Sequence, residues 1–212
     1  GSKNTTSGFA IVKYTGNGTS GHAIPHNLGT APKYMIVKSL ATNDWAVYQQ
    51  GFTLNGGNPY NAYMYLNSDA EENGGSVHWG GQIPGTTTFT VGTSNRTNTN
   101  DQEYIAYVWS EIPGYSKFNT YVGNGSADGP FIYCGFKPAW IMVKTLTSNQ
   151  QGGWQLRDNK RTPAGNLTNN LLYANAASTE QTTDGIDILS NGFKFRNTAG
   201  DNNASGRKYA FF

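Results

Sequence analysis

Two copies of one pattern of turns and strands make up most of this chain, and the duplication constrains its fold more than any other feature. Residues 14–19 (YTGNGT) are matched by residues 121–126 (YVGNGS), and residues 28–38 are matched by 136–144. Tyr14 and Tyr121, Pro32 and Pro138, and Trp45 and Trp154 stand 107, 106 and 109 residues apart. A repeat of this length is domain-sized, whereas solenoid repeats are much shorter.

Within each copy, short runs of β-branched and aromatic residues alternate with clusters of Gly, Asn, Pro and Ser. This pattern is typical of an all-β fold. We expect an antiparallel β-sandwich of the jelly-roll or lectin-like type, built from two halves related by a pseudo-two-fold axis. Residues 167–177, where Ala and Leu gather, leave a short helical turn open as an alternative.

The two halves are expected at residues 3–112 and 113–212. Their junction, residues 112–114 (IPG), is too short to act as a flexible linker, so we expect the halves to pack rigidly as one unit. Residues 1–2 (GS) are typical of the remnant of an expression tag. The apolar end at residues 209–212 (YAFF) indicates a piece of a longer protein.

The charge content of the chain disfavours several classes of partner. Charged residues make up 13% of the chain and the formal net charge is +2, so no basic surface for nucleic acid is indicated. No apolar run approaches the length of a membrane span, so membrane insertion is not expected. The single cysteine, Cys134, lies in a strand-like run and is expected to be a buried thiol.

The polar motifs give weak signals for metal binding or catalysis. Asn124, Ser126 and Asp128 place oxygens at alternating positions before a glycine, as in the first half of a calcium loop, but no acidic residue closes the loop. A plain turn is the favoured interpretation. His22 and His26 are four residues apart, a metal-binding spacing only on a helix, and Pro25 opposes a helix there. We find no nucleophile motif and no acid/base pair, and therefore expect no enzyme and no cofactor.

Aromatic residues carry the stronger signal, since the chain holds 5 Trp, 13 Tyr and 10 Phe. The rings of Trp45, Trp109 and Trp140 fall in predicted strands and are expected in the core, and Trp154 mirrors Trp45. Trp79 has glycine neighbours and no counterpart in the second half, which leaves open an exposed sugar-binding ring or a structural plug. The candidate ligand-binding residues come from the two unmatched segments, 51–62 and 77–85, and are Asn58, Tyr60, His78, Trp79 and Gln82.

The same landmarks resemble a domain of unknown function that recurs in tail-fibre and other virion structural proteins of tailed bacteriophages. The resemblance rests on residues 9–18, 26–38, 45–48, 106–131, 135–144 and 186–195, and residues 121–131 (YVGNGSADGPF) are especially close. It covers most of the chain. The long loop 51–62 departs from the family by being richer in Gly and Asn.

This resemblance implies a location on the virion, in a tail fibre or another exposed appendage. The expected function is adhesion to a bacterial surface glycan or receptor, by a non-enzymatic domain that also contacts other virion proteins. A purely structural module of a fibre shaft, spacer or capsid decoration is the alternative, followed by a polysaccharide depolymerase. Homo-oligomer formation by the full-length protein is left open.

Overall fold

The computed structural model describes residues 1–41, 44–53, 57–146, 152–161 and 167–212. Across these residues, seventeen β-strands and one single-turn 3-10 helix form antiparallel sheets. The all-β, antiparallel fold expected from the sequence is confirmed. The chain divides into two compact units, one made of residues 1–66 and 72–112, the other of residues 67–71 and 113–212. The pseudo-two-fold axis and the rigid packing of the halves stay predictions.

The first unit contains nine strands and the 3-10 turn. They are β1 (Ser2–Asn4), β2 (Phe9–Thr15), β3 (His22–Pro25), β4 (Tyr34–Ser39), β5 (Trp45–Gln49), the turn at Pro59–Asn61, β6 (Ala62–Tyr65), β7 (Asn73–Gly74), β8 (Thr88–Val91) and β9 (Glu103–Trp109). Seven strands form one sheet in the order β1-β2-β9-β4-β5-β6-β7, and β3 pairs with β8 in another. Met35 and Val108 of the large sheet share a core with Ile24 and Phe89 of the small one, so the unit is a sandwich.

The second unit contains eight strands. They are β10 (Asn119–Val122), β11 (Phe131–Tyr133), β12 (Trp140–Thr145), β13 (Gln155–Asp158), β14 (Leu167–Tyr173), β15 (Gln181–Leu189), β16 (Gly192–Phe195) and β17 (Lys208–Phe211). Their order is β10-β17-β12-β13-β14-β15-β16-β11. Ile141 and Val143 of β12 share a core with Ile188 and Phe193 at the other end of this order, so the sheet folds over on itself. Because β14 is a strand, the helical alternative for residues 167–177 is wrong.

One strand explains why the second unit has a continuous sheet and the first does not. The strand before β16 is the nine-residue β15, which pairs with both β14 and β16. The strand at the same place in the first unit is the two-residue β7, which pairs with β6. The β3–β8 pair therefore forms its own sheet.

A buried asparagine closes the Gly-Asn-Gly turn in both units. The Asn98 Oδ1 accepts the Asn17 N–H at 2.9 Å, and the Asn203 Oδ1 accepts the Asn124 N–H at 3.0 Å. The side-chain amide of each then donates to two carbonyls, those of Thr19 and Gly92 in the first unit and those of Ser126 and Asn197 in the second. The two units therefore share an asparagine whose hydrogen bonds stabilise the turn.

Candidate functional site

Trp79, one of the predicted ligand-binding residues, lies in the core of the first unit. It is 1% exposed, its Nε1–H donates to the Ala62 carbonyl at 2.9 Å, and its ring meets Tyr48 edge to face. The exposed sugar-binding interpretation of Trp79 is therefore corrected, and the structural plug is what the structure shows. The residue that meets the Trp79 ring also differs between the units, because Arg157 of the second unit stands in register where the first unit has Tyr48.

His78 is buried beside Trp79 and makes interior contacts. Its ring stacks on Tyr63 with a centroid distance of 3.7 Å, and its Nε2 lies 3.2 Å from the Tyr65 hydroxyl and 3.3 Å from the Ser94 hydroxyl. Burial, and secondarily the nearby Arg96 guanidinium, lower the pKa of His78 to about 4. A neutral, enclosed imidazole of this kind stabilises the loops around it and offers little to a ligand.

The other predicted ligand-binding residues are dispersed over the first unit. Tyr60 is half-buried and packs against the core, while Gln82 is exposed. Asn58 is half-buried and precedes the 3-10 turn, where its carbonyl accepts the Asn61 N–H at 2.9 Å. Residues 54–56 of the long loop 51–62 lie outside the described residues.

The weak metal candidates in the Gly-Asn-Gly turn of the second unit make turn contacts. The Asn124 Oδ1 accepts the Ser126 N–H at 3.0 Å, and the Ser126 hydroxyl oxygen accepts the Asp128 N–H at 3.1 Å. The Asp128 carboxylate pairs with Lys194 and Arg196. In the described parts of the chain, no group of three or more His, Cys, Asp or Glu is placed to hold a metal ion.

His22 and His26, the histidines with four-residue spacing, each contact a different part of the first unit. The His22 Nδ1 faces the Asn98 Oδ1 at 3.1 Å. The His26 Nε2 faces the Gly85 carbonyl at 3.1 Å, and its Nδ1 accepts the Leu28 N–H at 3.3 Å. Both nitrogens of His26 are thus used within the fold. Cys134 is buried in the second unit, as predicted.

Exposed aromatic rings are distributed unequally between the two units. In the described residues, the exposed large hydrophobic side chains of the first unit are all aliphatic, whereas those of the second include Tyr115, Phe131, Tyr133 and Trp140. Trp140 was expected in the core, but it is 50% exposed because it begins β12, opposite the last residue of β13. Trp154 is fully buried, in agreement with the prediction.

Phe131 and Tyr133 stand on the same face of β11, the edge strand of the sheet, with Ile132 between them turned into the core. Phe131 is 44% exposed and Tyr133 is 63% exposed. Alternate side chains of a strand share one face, so the two rings are neighbours. We call this face, made of Phe131, Tyr133, Gly135, Gly192 and Lys194, the β11 surface.

Each ring of the β11 surface lies beside a glycine. A Cβ added to Gly192 would lie 3.1 Å from Phe131 Cε2 and 2.0 Å from the Ile132 carbonyl oxygen. A Cβ added to Gly135, whose φ is +83°, would lie 3.5 Å from the Tyr133 hydroxyl and 3.7 Å from its Cζ. Each ring therefore lies close to a glycine, and its remaining surface is exposed.

The rings of the β11 surface differ from the cluster around Trp109, where aromatic side chains pack on one another. Phe9, Tyr34 and Tyr107 pack around Trp109 with centroid distances of 4.8, 5.1 and 6.4 Å. In the described residues, Phe131 and Tyr133 are in no such ring pair. Aromatic faces that the fold does not use are free to meet the apolar face of a ligand.

Residues 1–212 match the family described as a domain of unknown function, DUF7483. The chain belongs to the DUF7483 family. No curated protein and no solved structure matches it. In the described part of this DUF7483 domain, no helix has the length and apolar character needed to cross a membrane.

The β11 surface of this DUF7483 domain is one place where the two copies diverge. Because Ile24 pairs with Phe89 and Ile132 with Phe193 in matching ladders, Phe131 and Tyr133 correspond to Ala23 and Pro25 of the first unit. Their ladder partners, Lys194 and Gly192, correspond to Thr90 and Thr88. The sequence analysis missed these residues. An alignment of Ile24 with Ile132 would have indicated them, because it places the aromatic Phe131 and Tyr133 of one copy at the positions of Ala23 and Pro25 in the other.

Proposed function

We propose that this DUF7483 domain is a non-enzymatic adhesion module of a tailed-phage appendage and binds a bacterial surface glycan through the β11 surface. The observation that carries the proposal is the pair of exposed, unstacked rings of Phe131 and Tyr133. Sugars present C–H faces that pack on aromatic rings and hydroxyls that need polar partners. The β11 surface supplies both, because Lys194 stands opposite Phe131 in the ladder.

The divergence of the two copies supports a ligand-binding role over a packing role. Residues that only hold the sandwich together, such as Asn98 and Asn203, are the same in both units. The four outward positions of β11 and β16 are all different. The virion location and the bacterial partner rest on the resemblance given above and remain part of the proposal.

A single site of this size is expected to bind weakly, and the repetition of appendage proteins on a virion would multiply the affinity. The test therefore uses the domain displayed on a multivalent carrier, with an array of capsular and cell-wall polysaccharides as the probe. We expect binding to at least one glycan, and a loss of ten-fold or more in Tyr133→Ala and in Phe131→Ala, the latter restoring the residue type of Ala23.

Tyr115→Ala is the matched control, because Tyr115 is 64% exposed, close to the exposure of Tyr133, and lies outside the β11 surface. This variant should bind as the wild type does. Circular dichroism of all three variants checks that they are folded. Equal binding by Tyr133→Ala, Phe131→Ala and the wild type would contradict the proposed site, and a multivalent domain that binds no glycan would favour the structural virion module instead.

The same polysaccharides distinguish adhesion from depolymerisation. A bound polysaccharide incubated with the domain should keep its viscosity and release no new reducing ends. A time-dependent rise in reducing ends would show that the domain is a depolymerase.

A further inference from the structure

A network of four charged side chains borders the β11 surface. The Asp128 carboxylate lies 2.9 Å from the Lys194 Nζ and 3.4 Å from the Arg196 Nη1. The Arg196 Nε lies 2.6 Å from the Asp187 Oδ2. Two carboxylates balance two cations, so the network carries no net charge.

The network shares its face with the aromatic rings. Phe131 is paired with Lys194, and Lys194 with Asp187, in adjacent ladders, and residues directly opposite each other in antiparallel strands project to the same side. Asp128 lies three residues before β11, in the turn that begins with Asn124. A ligand resting on the rings would therefore meet charged groups along one side.

Asp128 is the member of the network most open to solvent. Its side chain is 80% exposed, against 43% for Arg196 and 23% for Lys194. The hydrogen bond from Lys194 lowers the pKa of Asp128, so it is ionised at neutral pH. An ionised carboxylate accepts hydrogen bonds from hydroxyls and repels other anions.

We propose that the β11 surface takes a neutral sugar of the glycan, with Asp128 accepting hydrogen bonds from adjacent hydroxyls and disfavouring acidic sugars. This inference rests on the proposed function and adds the ligand class. Lys194 and Arg196 are already engaged with Asp128, so they hold the carboxylate in place and leave no excess positive charge to attract a uronate or a phosphate. Binding is expected to change less than two-fold between low and high salt.

The experiment compares neutral hexose oligosaccharides with uronate-containing and sialylated oligosaccharides of the same length, all presented to the multivalent domain. We expect the neutral set to bind best and Asp128→Ala to lose ten-fold or more. Asp128→Asn keeps an acceptor and removes the charge, so it should lose less affinity and discriminate less against the acidic set. Asp101→Asn removes an exposed charge from the first unit and should change neither property.

The outcomes separate the inference from the function on which it rests. Salt-sensitive binding of acidic glycans that depends on Tyr133 would overturn the neutral ligand class and leave the adhesion function standing. Unchanged neutral binding in Asp128→Ala would overturn the role of Asp128 alone. Glycan binding that is indifferent to Tyr133→Ala would contradict the proposed site and this inference together.

Discussion

Tyr133 lies directly opposite Gly192 in the β11–β16 ladder, and the ring of Phe131 leans over the same glycine. Because Gly192 has no side chain, the Phe131 ring occupies the space where a side chain of β16 would otherwise lie. The Phe131 ring on this edge strand thus lies over a glycine of the neighbouring strand that comes 61 residues later in the chain.

Replacing Gly192 should disturb β11. In Gly192→Ala the new Cβ would meet the Ile132 carbonyl oxygen at 2.0 Å, which the backbone can relieve only by moving β11 away from β16. We expect a loss of about 1–3 kcal/mol in the free energy of unfolding, measured by urea denaturation. The matched control is Gly185→Ala in β15, where the new Cβ would meet the movable end of the Leu167 side chain. Equal stability of the two variants would show that the close approach at Gly192 is not a constraint.

Removing Trp79 should cost stability without affecting glycan binding. Trp79→Ala leaves a cavity in the core and an unpaired Ala62 carbonyl, and we expect about 3–5 kcal/mol of destabilisation in urea denaturation. Trp79→Phe keeps most of the apolar volume and should cost less. If Trp79→Ala unfolds at the wild-type urea concentration, the ring does not fill the core as described.

The asparagine that closes each Gly-Asn-Gly turn should tolerate little change. Asn98→Ala removes the acceptor of the Asn17 N–H and the donor to two carbonyls, and we expect a loss of about 2–4 kcal/mol. Asn98→Asp should be worse, because its carboxylate would face the carbonyls of Thr19 and Gly92. The same comparison at Asn203 should give losses of similar size. Asn100→Ala, an exposed neighbour of Asn98, serves as the control and should stay close to wild type.

Acidification should weaken the first unit before the second. The pKa of His78 is lowered to about 4 in the fold, mainly by burial, against about 6.5 in an unfolded chain. Folding therefore favours the neutral form of His78. The contribution of His78 to the free energy of unfolding is complete above pH 6.5 and is lost as the pH falls toward 4. Burial lowers the pKa of His26 as well, which adds in the same direction. We expect His78 alone to account for a loss of about 3 kcal/mol at pH 4.

Amide hydrogen exchange at pH 4 and pH 7 checks this effect unit by unit. All three histidines, at positions 22, 26 and 78, lie in the first unit. Protection should fall in β6 and β8 and be retained in β16, and His78→Phe should reduce the fall. Equal loss of protection in both units would contradict a histidine origin.

Local pattern was enough to predict the all-β class and the repeat. The alternation of β-branched and aromatic runs with turn residues depends on backbone preferences that each short segment expresses by itself. The buried Cys134 followed from the same reasoning. Local pattern could not decide between strand and helix at residues 167–177. There the pairing of β14 with β13 and β15 overrides the helix propensity of Leu and Ala.

The sequence by itself determined the all-β class, the duplicated scaffold and the length of the repeat, since these depend on patterns within one stretch of chain. Only the tertiary structure decided which aromatic residues face solvent. Trp79 and Tyr133 both stand near glycines in the sequence, yet Trp79 fills a core that Tyr48 and Ala62 enclose, and Tyr133 lies on an edge strand. Exposure depends on which strands pack over a ring, and those strands come from distant parts of the chain.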